Sequence, residues 1–156
     1  MPPHGYFGFD IDRFCSKLVH EGPDAIVYAD SSGLILFWNH GAERIFGYSA
    51  KEAIGSSLDL IMPENLRARH WAAYRETMRT GMTRYGEGDV LAVPALGKRG
   101  RRISIEFTIF PYHDRDGSVR GIGAILRDVT KRFEETKALR KEVAARQATP
   151  PNPSSG

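Results

Sequence analysis

The chain has 156 residues, of which 41% are hydrophobic and 26% charged, and its formal net charge is +3. These values suit one globular domain with flanking segments, and no apolar run approaches the roughly 18 residues of a membrane-spanning helix. Residues 1–9 show no secretory signal, and Cys15 is the single cysteine, which rules out an intrachain disulfide. A cytoplasmic protein is therefore expected.

The first third of the chain predicts a helix followed by a β-hairpin. Residues 10–20 read as a short amphipathic helix that Asp10 can cap. Residues 25–29 form an apolar strand candidate, residues 30–33 have hairpin-turn composition, and residues 34–39 form the returning strand. One face of the predicted helix carries the apolar residues Ile11, Phe14, Cys15, Leu18 and Val19.

Short helices are predicted in the middle third. Residues 40–46 read as a helical turn that Gly47 closes, and Ser49 with Glu52 forms a capping-box pattern. Residues 65–79 form the longest helical pattern, and His70 lies on or near its apolar face.

The last third again predicts strands, followed by a final helix. Residues 90–96 are apolar but contain Pro94, which favours an edge position or a bulge. Residues 103–109 alternate between apolar and polar, and residues 121–127 form a further strand. Residues 130–146 then read as a charged helix, which Asp128 can cap, with a thin heptad seam of Val129, Thr136, Leu139 and Val143.

The order of elements predicts an α+β domain. A two-stranded hairpin cannot bury its apolar face alone, so one antiparallel sheet of about five strands with helices gathered on one face is expected. The predicted boundaries are a flanking helix in 1–21, the domain in 22–131, a coiled-coil-like signalling helix in 132–148 and a disordered tail in 149–156.

Several short motifs resemble the PAS family in its S-box form. Residues 38–49 read W-N-H-G-A-E-R-I-F-G-Y-S and are similar to the family signature N-x-A-x-E-x-x-F-G-Y, with Gly41 as an additional small residue. Residues 24–27 and 30–35 resemble the first two strands of the family, and residues 127–130 resemble its closing R-D-I-T motif. The resemblance implies the PAS fold and a sensory or signal-transduction module.

A second resemblance surrounds His70. The segments I-M-P-E (61–64) and R-A-R-H (67–70) are similar to the oxygen-sensing haem PAS domains of the FixL type, in which this histidine is the proximal iron ligand. The resemblance implies haem b with His70 as its metal ligand, and a cofactor contact at Tyr74. It further implies contacts from alternate strand residues, namely Ile105, Phe107, Ile109, Ile122, Ala124 and Leu126. Candidate partners for the propionates are Arg69, Arg75 and Arg79.

Other interpretations of this segment stay open. Where those haem sensors carry a gas-side arginine, this chain has Asp89, and the spacing from His70 is one residue shorter. In one alternative His70 packs at the boundary of helix and sheet, bonds a backbone carbonyl, and no cofactor is bound. Flavin is a further alternative. It would be bound non-covalently, because Cys15 lies outside the central helices where a photoadduct cysteine is needed.

Catalysis and nucleic-acid binding are not expected. The sequence has no Gly-rich phosphate loop, no G-x-S-x-G motif and no plausible Cys/His pair. It also lacks zinc-ligand spacing, a helix-turn-helix signature and an aromatic RNA-binding motif. Its basic cluster at residues 98–102 is typical of a solvated hairpin turn.

Two functions therefore compete. In the first, a small ligand or cofactor fills the space between the sheet and the long helix, and the final helix passes the state to a signalling protein or effector domain. In the second, side chains fill the core and the domain is a ligand-free dimerisation or protein-interaction module. A homodimer without membrane contact is expected in both, with an interface marked by Phe14, Leu18, Phe133 and Leu139.

Overall fold

A computed structural model describes residues 8–86 and 88–149. The strands are β1 (Ala25–Asp30), β2 (Ile35–Trp38), β3 (Leu91–Leu96), β4 (Arg102–His113) and β5 (Val119–Asp128). The helices are α1 (Ile11–Glu21), α2 (His40–Phe46), α3 (Ala50–Ala53), α4 (Glu64–Thr80) and α5 (Thr130–Ala148). The strands form one five-stranded antiparallel sheet in the order β2-β1-β5-β4-β3, which confirms the predicted α+β class.

The first hairpin forms through the local chemistry of its turn. The Asp30 carboxylate accepts hydrogen bonds from the backbone N–H groups of Ser32, at 2.9 Å, and Leu34, at 3.0 Å. Gly33 has a φ of 83°, which only glycine adopts readily. Local signals of this kind are enough to predict the hairpin from the sequence.

Two strands are longer than the sequence pattern predicts. β4 continues past residue 109 to His113 and includes Pro111, and β5 begins at Val119. The pairing of β3 with β4 extends only from Arg102 to Phe107, so β4 has a partner on one side alone at Pro111. Proline is tolerated in a strand at such positions, and it does not end the strand here. β3 is an edge strand, as Pro94 predicts.

The short helices are fixed by their caps. Gly47 ends α2 with a φ of 81°, and Ser49 and Glu52 form the predicted capping box around α3. Asn39 caps α2 by accepting a hydrogen bond from the N–H of Ala42. These caps bring α2 and α3 against the core of the sheet.

The hydrophobic core lies between the sheet and the short helices. Phe46 and Ile35 are fully buried, and the indole of Trp38 packs 5.3 Å from the Phe46 ring. Other buried members of this cluster are Ala25, Val27, Ala42, Ile45, Ala53, Ile61, Ala95, Ile103, Ile105 and Leu126. The core therefore contains side chains from both halves of the chain.

The flanking helices differ from the rest of the domain because neither buries a side chain in the described structure. Asp10 caps α1 as predicted, by accepting from the N–H of Arg13 at 2.9 Å. Within residues 8–86 and 88–149, no helix combines the length and the apolar character needed to cross a bilayer. Most of the tail predicted to be disordered, residues 150–156, lies outside the described residues.

One sequence expectation is wrong in detail. Asp128 does not cap α5, which begins after Val129, and its carboxylate instead accepts from the N–H and hydroxyl of Thr130. The basic cluster at residues 98–102 is exposed, as expected of a hairpin turn, and Lys98 pairs with Glu52 at 2.5 Å. Arg101 donates to the carbonyl of Ile45 at 2.6 Å. Both contacts tie the turn between β3 and β4 to the short helices.

Candidate functional site

The long helix α4 lies across the helical side of the sheet and buries few of its own side chains. It begins after Pro63 and ends at Gly81, whose φ is 73°. Its buried residues in the described structure are Tyr74 and Thr77. The Tyr74 hydroxyl donates to the carbonyl of Asp30 at 2.5 Å and lies 3.2 Å from that of Ala29. This contact fixes the middle of α4 to the end of β1.

His70 lies one turn before Tyr74, within a cluster of aromatic rings. Its imidazole centroid is 4.9 Å from the Trp71 ring and 5.6 Å from the Tyr74 ring. Its Nδ1 atom is buried and, among the residues that the structure describes, has no hydrogen-bond partner. The backbone-carbonyl bond of the alternative interpretation is therefore not made by Nδ1.

Burial favours the neutral form of this imidazole. Desolvation lowers the pKa of His70, and the nearby Asp59 carboxylate opposes that change with a smaller effect. A buried polar nitrogen without a partner costs free energy, so the position is unfavourable unless another group binds there. A neutral imidazole is also the form that binds a metal.

The sequence reasoning missed the polar contacts that position this ring cluster. Trp71 donates from its indole N–H to the Asp59 carboxylate at 2.8 Å. Its ring also covers Gly33, where a Cβ atom would lie 2.1 Å from it. Arg67 donates to the carbonyl of Met62 at 3.1 Å. Asp59 and Trp71 are twelve positions apart on different elements, and no local motif signals their contact.

The sheet surface on the helical side is only partly covered. Cross-strand pairing places Phe107 opposite Leu126 and Ile109 opposite Ala124, with the side chains of each pair on one face. Ile105 and Leu126 are buried, whereas the other predicted contact residues of these strands are half-buried: Phe107, Ile109, Ile122 and Ala124. Val93, on the edge strand opposite Ile105, is 37% exposed. Apolar surface therefore remains accessible beside α4.

The remaining candidates for haem contacts do not form a prearranged group. Asp89 is exposed, and its carboxylate accepts from the N–H of Gly86 at 2.7 Å, within its own loop. Arg79 pairs with Glu76 at 2.7 Å on the helix surface. Arg69 and Arg75 are exposed along α4. The contacts of these four side chains therefore do not hold them in position to bind a gas or a haem propionate.

Two open clefts on the described surface lie away from His70. One, at the start of α5, is lined by Arg127, Asp128, Val129, Lys131, Arg132 and Glu135. The other, at the start of α4, is lined by Pro63, Glu64, Asn65, Leu96 and Arg102. Among the described residues, no group of three or more His, Cys, Asp or Glu side chains could hold a metal ion.

His70 and its surroundings fit a haem in chemical terms. The Nδ1 atom of His70 is buried and has no hydrogen-bond partner among the described residues, and the adjoining sheet surface is apolar. Haem would need a protein ligand to its iron, and a histidine nitrogen is one of the groups that can serve. His70 is the residue that would supply it, with Tyr74 and the half-buried strand residues beside the ring.

The predicted interface residues are exposed on both flanking helices. The exposed fractions are 47% for Phe14, 54% for Leu18, 54% for Phe133 and 61% for Leu139. The sheet face opposite α4 also carries exposed apolar side chains, namely Phe110, Tyr112 and Ile125. The structure thus brings the ligand candidates to one side of the sheet and leaves the interface candidates on separate elements.

Comparison with known proteins is consistent with this geometry. Residues 19–134 match a family described as the PAS fold. The chain is 30% identical over 132 residues to the sensor protein FixL of Bradyrhizobium diazoefficiens, covering 81% of this chain and 24% of that protein. It is 27% identical over 111 residues to the oxygen sensor protein DosP of Escherichia coli, covering 71% of this chain and 14% of that protein.

Solved structures show the same architecture. The PAS domain of a protein from Colwellia psychrerythraea superimposes with a TM-score of 0.67 at 26% identity, covering 78% of this chain and 99% of that domain. The chain spans a quarter or less of the length of the curated relatives given above, at 24% and 14%. It therefore corresponds to one domain of those longer proteins.

Proposed function

The chain belongs to the PAS family, and from this membership we propose that it is a sensory domain that holds haem through His70 and passes its state to a partner through α5. Its relatives include a sensor protein and an oxygen sensor protein. Haem would supply an iron atom that binds a diatomic gas. The domain itself is proposed to be non-catalytic.

The observation that carries this proposal is the buried Nδ1 of His70, which lacks a hydrogen-bond partner among the described residues. Desolvation favours the neutral imidazole, which has a free electron pair for the iron. The half-buried apolar residues of β4 and β5 offer a surface for a flat hydrophobic ring. In the bound state, Tyr74 would keep α4 in register with β1 through its bond to the Asp30 carbonyl.

The test is a titration of the purified chain with haemin, followed by absorption spectroscopy. The wild-type protein is expected to develop a Soret band that saturates at one haem per chain. His70→Ala is expected to weaken haem binding by about tenfold or more, because the axial ligand is lost. The band position in the ferrous state with and without carbon monoxide reports the ligand on each side of the iron.

His40→Ala is the matched control, because His40 is exposed at the start of α2. It should bind haem as the wild type does. Equal Soret bands in all three proteins would show adventitious binding, and a wild type that stays colourless would refute the haem proposal. Flavin released by heating would instead support the flavin alternative.

Homodimerisation through the flanking helices is a second proposed function. It is favoured by the unburied apolar face of α1, where the Phe14 ring lies 5.3 Å from the ring of Phe9, a residue just before the helix. Leu18 on α1 and Leu139 on α5 are both more than half exposed, at 54% and 61%. Apolar residues that recur on one side of a helix without cover are typical of a protein interface.

Sedimentation equilibrium of the wild type and two single variants tests this interface. Leu18→Lys and Leu139→Lys are each expected to raise the dimer dissociation constant by about tenfold or more, since each introduces a charge into an apolar contact. Ile54→Lys, which alters a similarly exposed position after α3, should leave association unchanged. A monomeric wild type at high micromolar concentration would contradict the dimer.

A further inference from the structure

The segment that joins α1 to β1 is held by polar contacts with α2 and with Asn39, its cap residue. Asn39 donates to the carbonyl of Asp24 at 3.0 Å, and Arg44 donates to the carbonyl of Pro23. The backbone of α2 lies so close to this segment that a Cβ atom on Gly41 would be 2.1 Å from the Asp24 oxygen. The direction in which α1 leaves the domain is thus set at this short segment.

Asp24 also connects this segment to the end of the last strand. Its carboxylate accepts from Nε of Arg127 at 3.2 Å and from Nη2 at 2.9 Å, a two-point contact between residues 103 positions apart. The hydrogen bonds to Asp24 raise the pKa of the Arg127 guanidinium. Arg127 precedes the first residue of α5 by three positions, so the pair links the residues beside both flanking helices.

The start of α5 is in turn attached to β4. Val129 donates its N–H to the carbonyl of Ser104 at 2.9 Å, and Ser104 donates its own N–H to the Thr130 hydroxyl at 3.0 Å. Arg132, in the first turn of α5, pairs with Glu106. Glu106 lies directly opposite Arg127 across the β4–β5 ladder.

We propose that these four alternating charges, Asp24, Arg127, Glu106 and Arg132, act as a linker clasp that couples the positions of α1 and α5. Neither helix buries a side chain in the described structure, and α1 is also tied to the domain by the bond from Asn39 to the Val19 carbonyl, so the junctions contribute to the orientation of both helices. A displacement of Asp24 changes the position that Arg127 can take, and through Glu106 it changes the position of Arg132. Coupling of this kind acts equally in both directions.

This coupling goes beyond the proposed sensing of haem and does not depend on it. A change at α1 would reach α5 across the outer face of the sheet, without passing through the space beneath α4. A change in the position of β5 would reach both helices at once, because Arg127 lies on that strand. The two flanking helices would therefore respond as one unit.

Native-state hydrogen exchange of the 156-residue chain, read by NMR, tests the clasp. Asp24→Asn removes the charge next to α1 and keeps the backbone carbonyl. The amides of Val129 and Phe133, at the start of α5, are expected to exchange about two- to fivefold faster, the range for a partly exposed ion pair. Reversing all four charges, with Asp24→Arg, Arg127→Asp, Glu106→Arg and Arg132→Glu, keeps the alternation and should restore most of the protection.

Asp114→Asn is the matched control, because Asp114 pairs with Arg120 at 2.7 Å in the distant β4–β5 turn. It makes the same change in net charge and should leave the α5 amides unchanged. The amide of Val27 in β1, an interior strand, reports global stability. The clasp is refuted if Asp24→Asn leaves Val129 and Phe133 unaffected, if Asp114→Asn has the same effect, or if Val27 accelerates equally.

Discussion

Asn39→Asp is expected to destabilise the domain by about 3–5 kcal/mol at neutral pH. The Asn39 side chain is 1% exposed and makes four hydrogen bonds. Its carbonyl oxygen accepts from the N–H groups of Ile26, at 2.8 Å, and Ala42, at 2.9 Å. Its amide group donates to the carbonyls of Val19, at 2.9 Å, and Asp24, at 3.0 Å. A carboxylate would place negative charge against the last two oxygens.

The loss of stability in this variant should depend on pH. Burial would raise the pKa of the new carboxyl in the folded state above its unfolded value of about 3.9. The folded state would then bind more protons than the unfolded state between those two pKa values, so its stability would fall as pH rises through that interval. Below about pH 4 the carboxyl is protonated in both states and the destabilisation should be smallest.

Chemical denaturation of the wild type and the variant at about pH 4 and about pH 7 measures the loss of stability and its dependence on pH. Asn39→Ala removes the same hydrogen bonds without adding a charge, so its effect should change little over that range. Asn65→Asp, at an exposed position in the first turn of α4, should be close to neutral. If Asn39→Asp were no less stable at neutral than at acid pH, Asn39 would not be buried in this network.

Gly41→Ala is the second substitution with a large expected effect. Alanine normally stabilises a helix by about 1 kcal/mol relative to glycine. Here the added methyl would lie 2.1 Å from the Asp24 oxygen and 2.9 Å from the Gly22 oxygen, both of which are backbone atoms. The backbone must move to relieve the contact, so a net destabilisation of about 2 kcal/mol is expected despite the better helix propensity.

Gly123→Ala provides the comparison for this effect. A Cβ atom there would also be too close to a neighbour, at 2.2 Å, but the neighbour is the exposed ring of Phe110, which can rotate away. We expect Gly123→Ala to change stability by less than about 1 kcal/mol. Thermal or denaturant unfolding measures the loss of stability in Gly41→Ala and in Gly123→Ala. Equal losses would contradict the distinction between crowding against the backbone and crowding against a side chain.

The parts of the fold that the sequence predicts are those with local signals. The Asp30 turn, the capping box of Ser49 and Glu52, and the alternation of residues 103–109 all act within a few positions. Asp128 shows the limit of this reasoning. Its carboxylate accepts from both the N–H and the hydroxyl of Thr130, and α5 begins one residue later than an N-cap at Asp128 would place it.

The site is predicted less completely because its contacts join distant positions. The helical spacing of residues 65–79 is enough to place His70 on the apolar side of α4, but not to reveal that its Nδ1 has no described partner. Nor does that spacing reveal that the neighbouring Trp71 contacts Asp59 and Gly33, which belong to other parts of the fold. The four partners of Asn39 likewise come from three segments, and only the cap on Ala42 is local.

The pairing of β1 with β5 has a consequence for how such a domain can be used. Ala25 lies opposite Leu126, so the polypeptide enters and leaves the sheet about 5 Å apart. A larger protein that carries the domain within one of its loops has only a narrow gap to close, at little cost in chain entropy. The neighbouring parts of that protein can keep their places whether the domain is inserted or removed, which makes the fold an interchangeable unit.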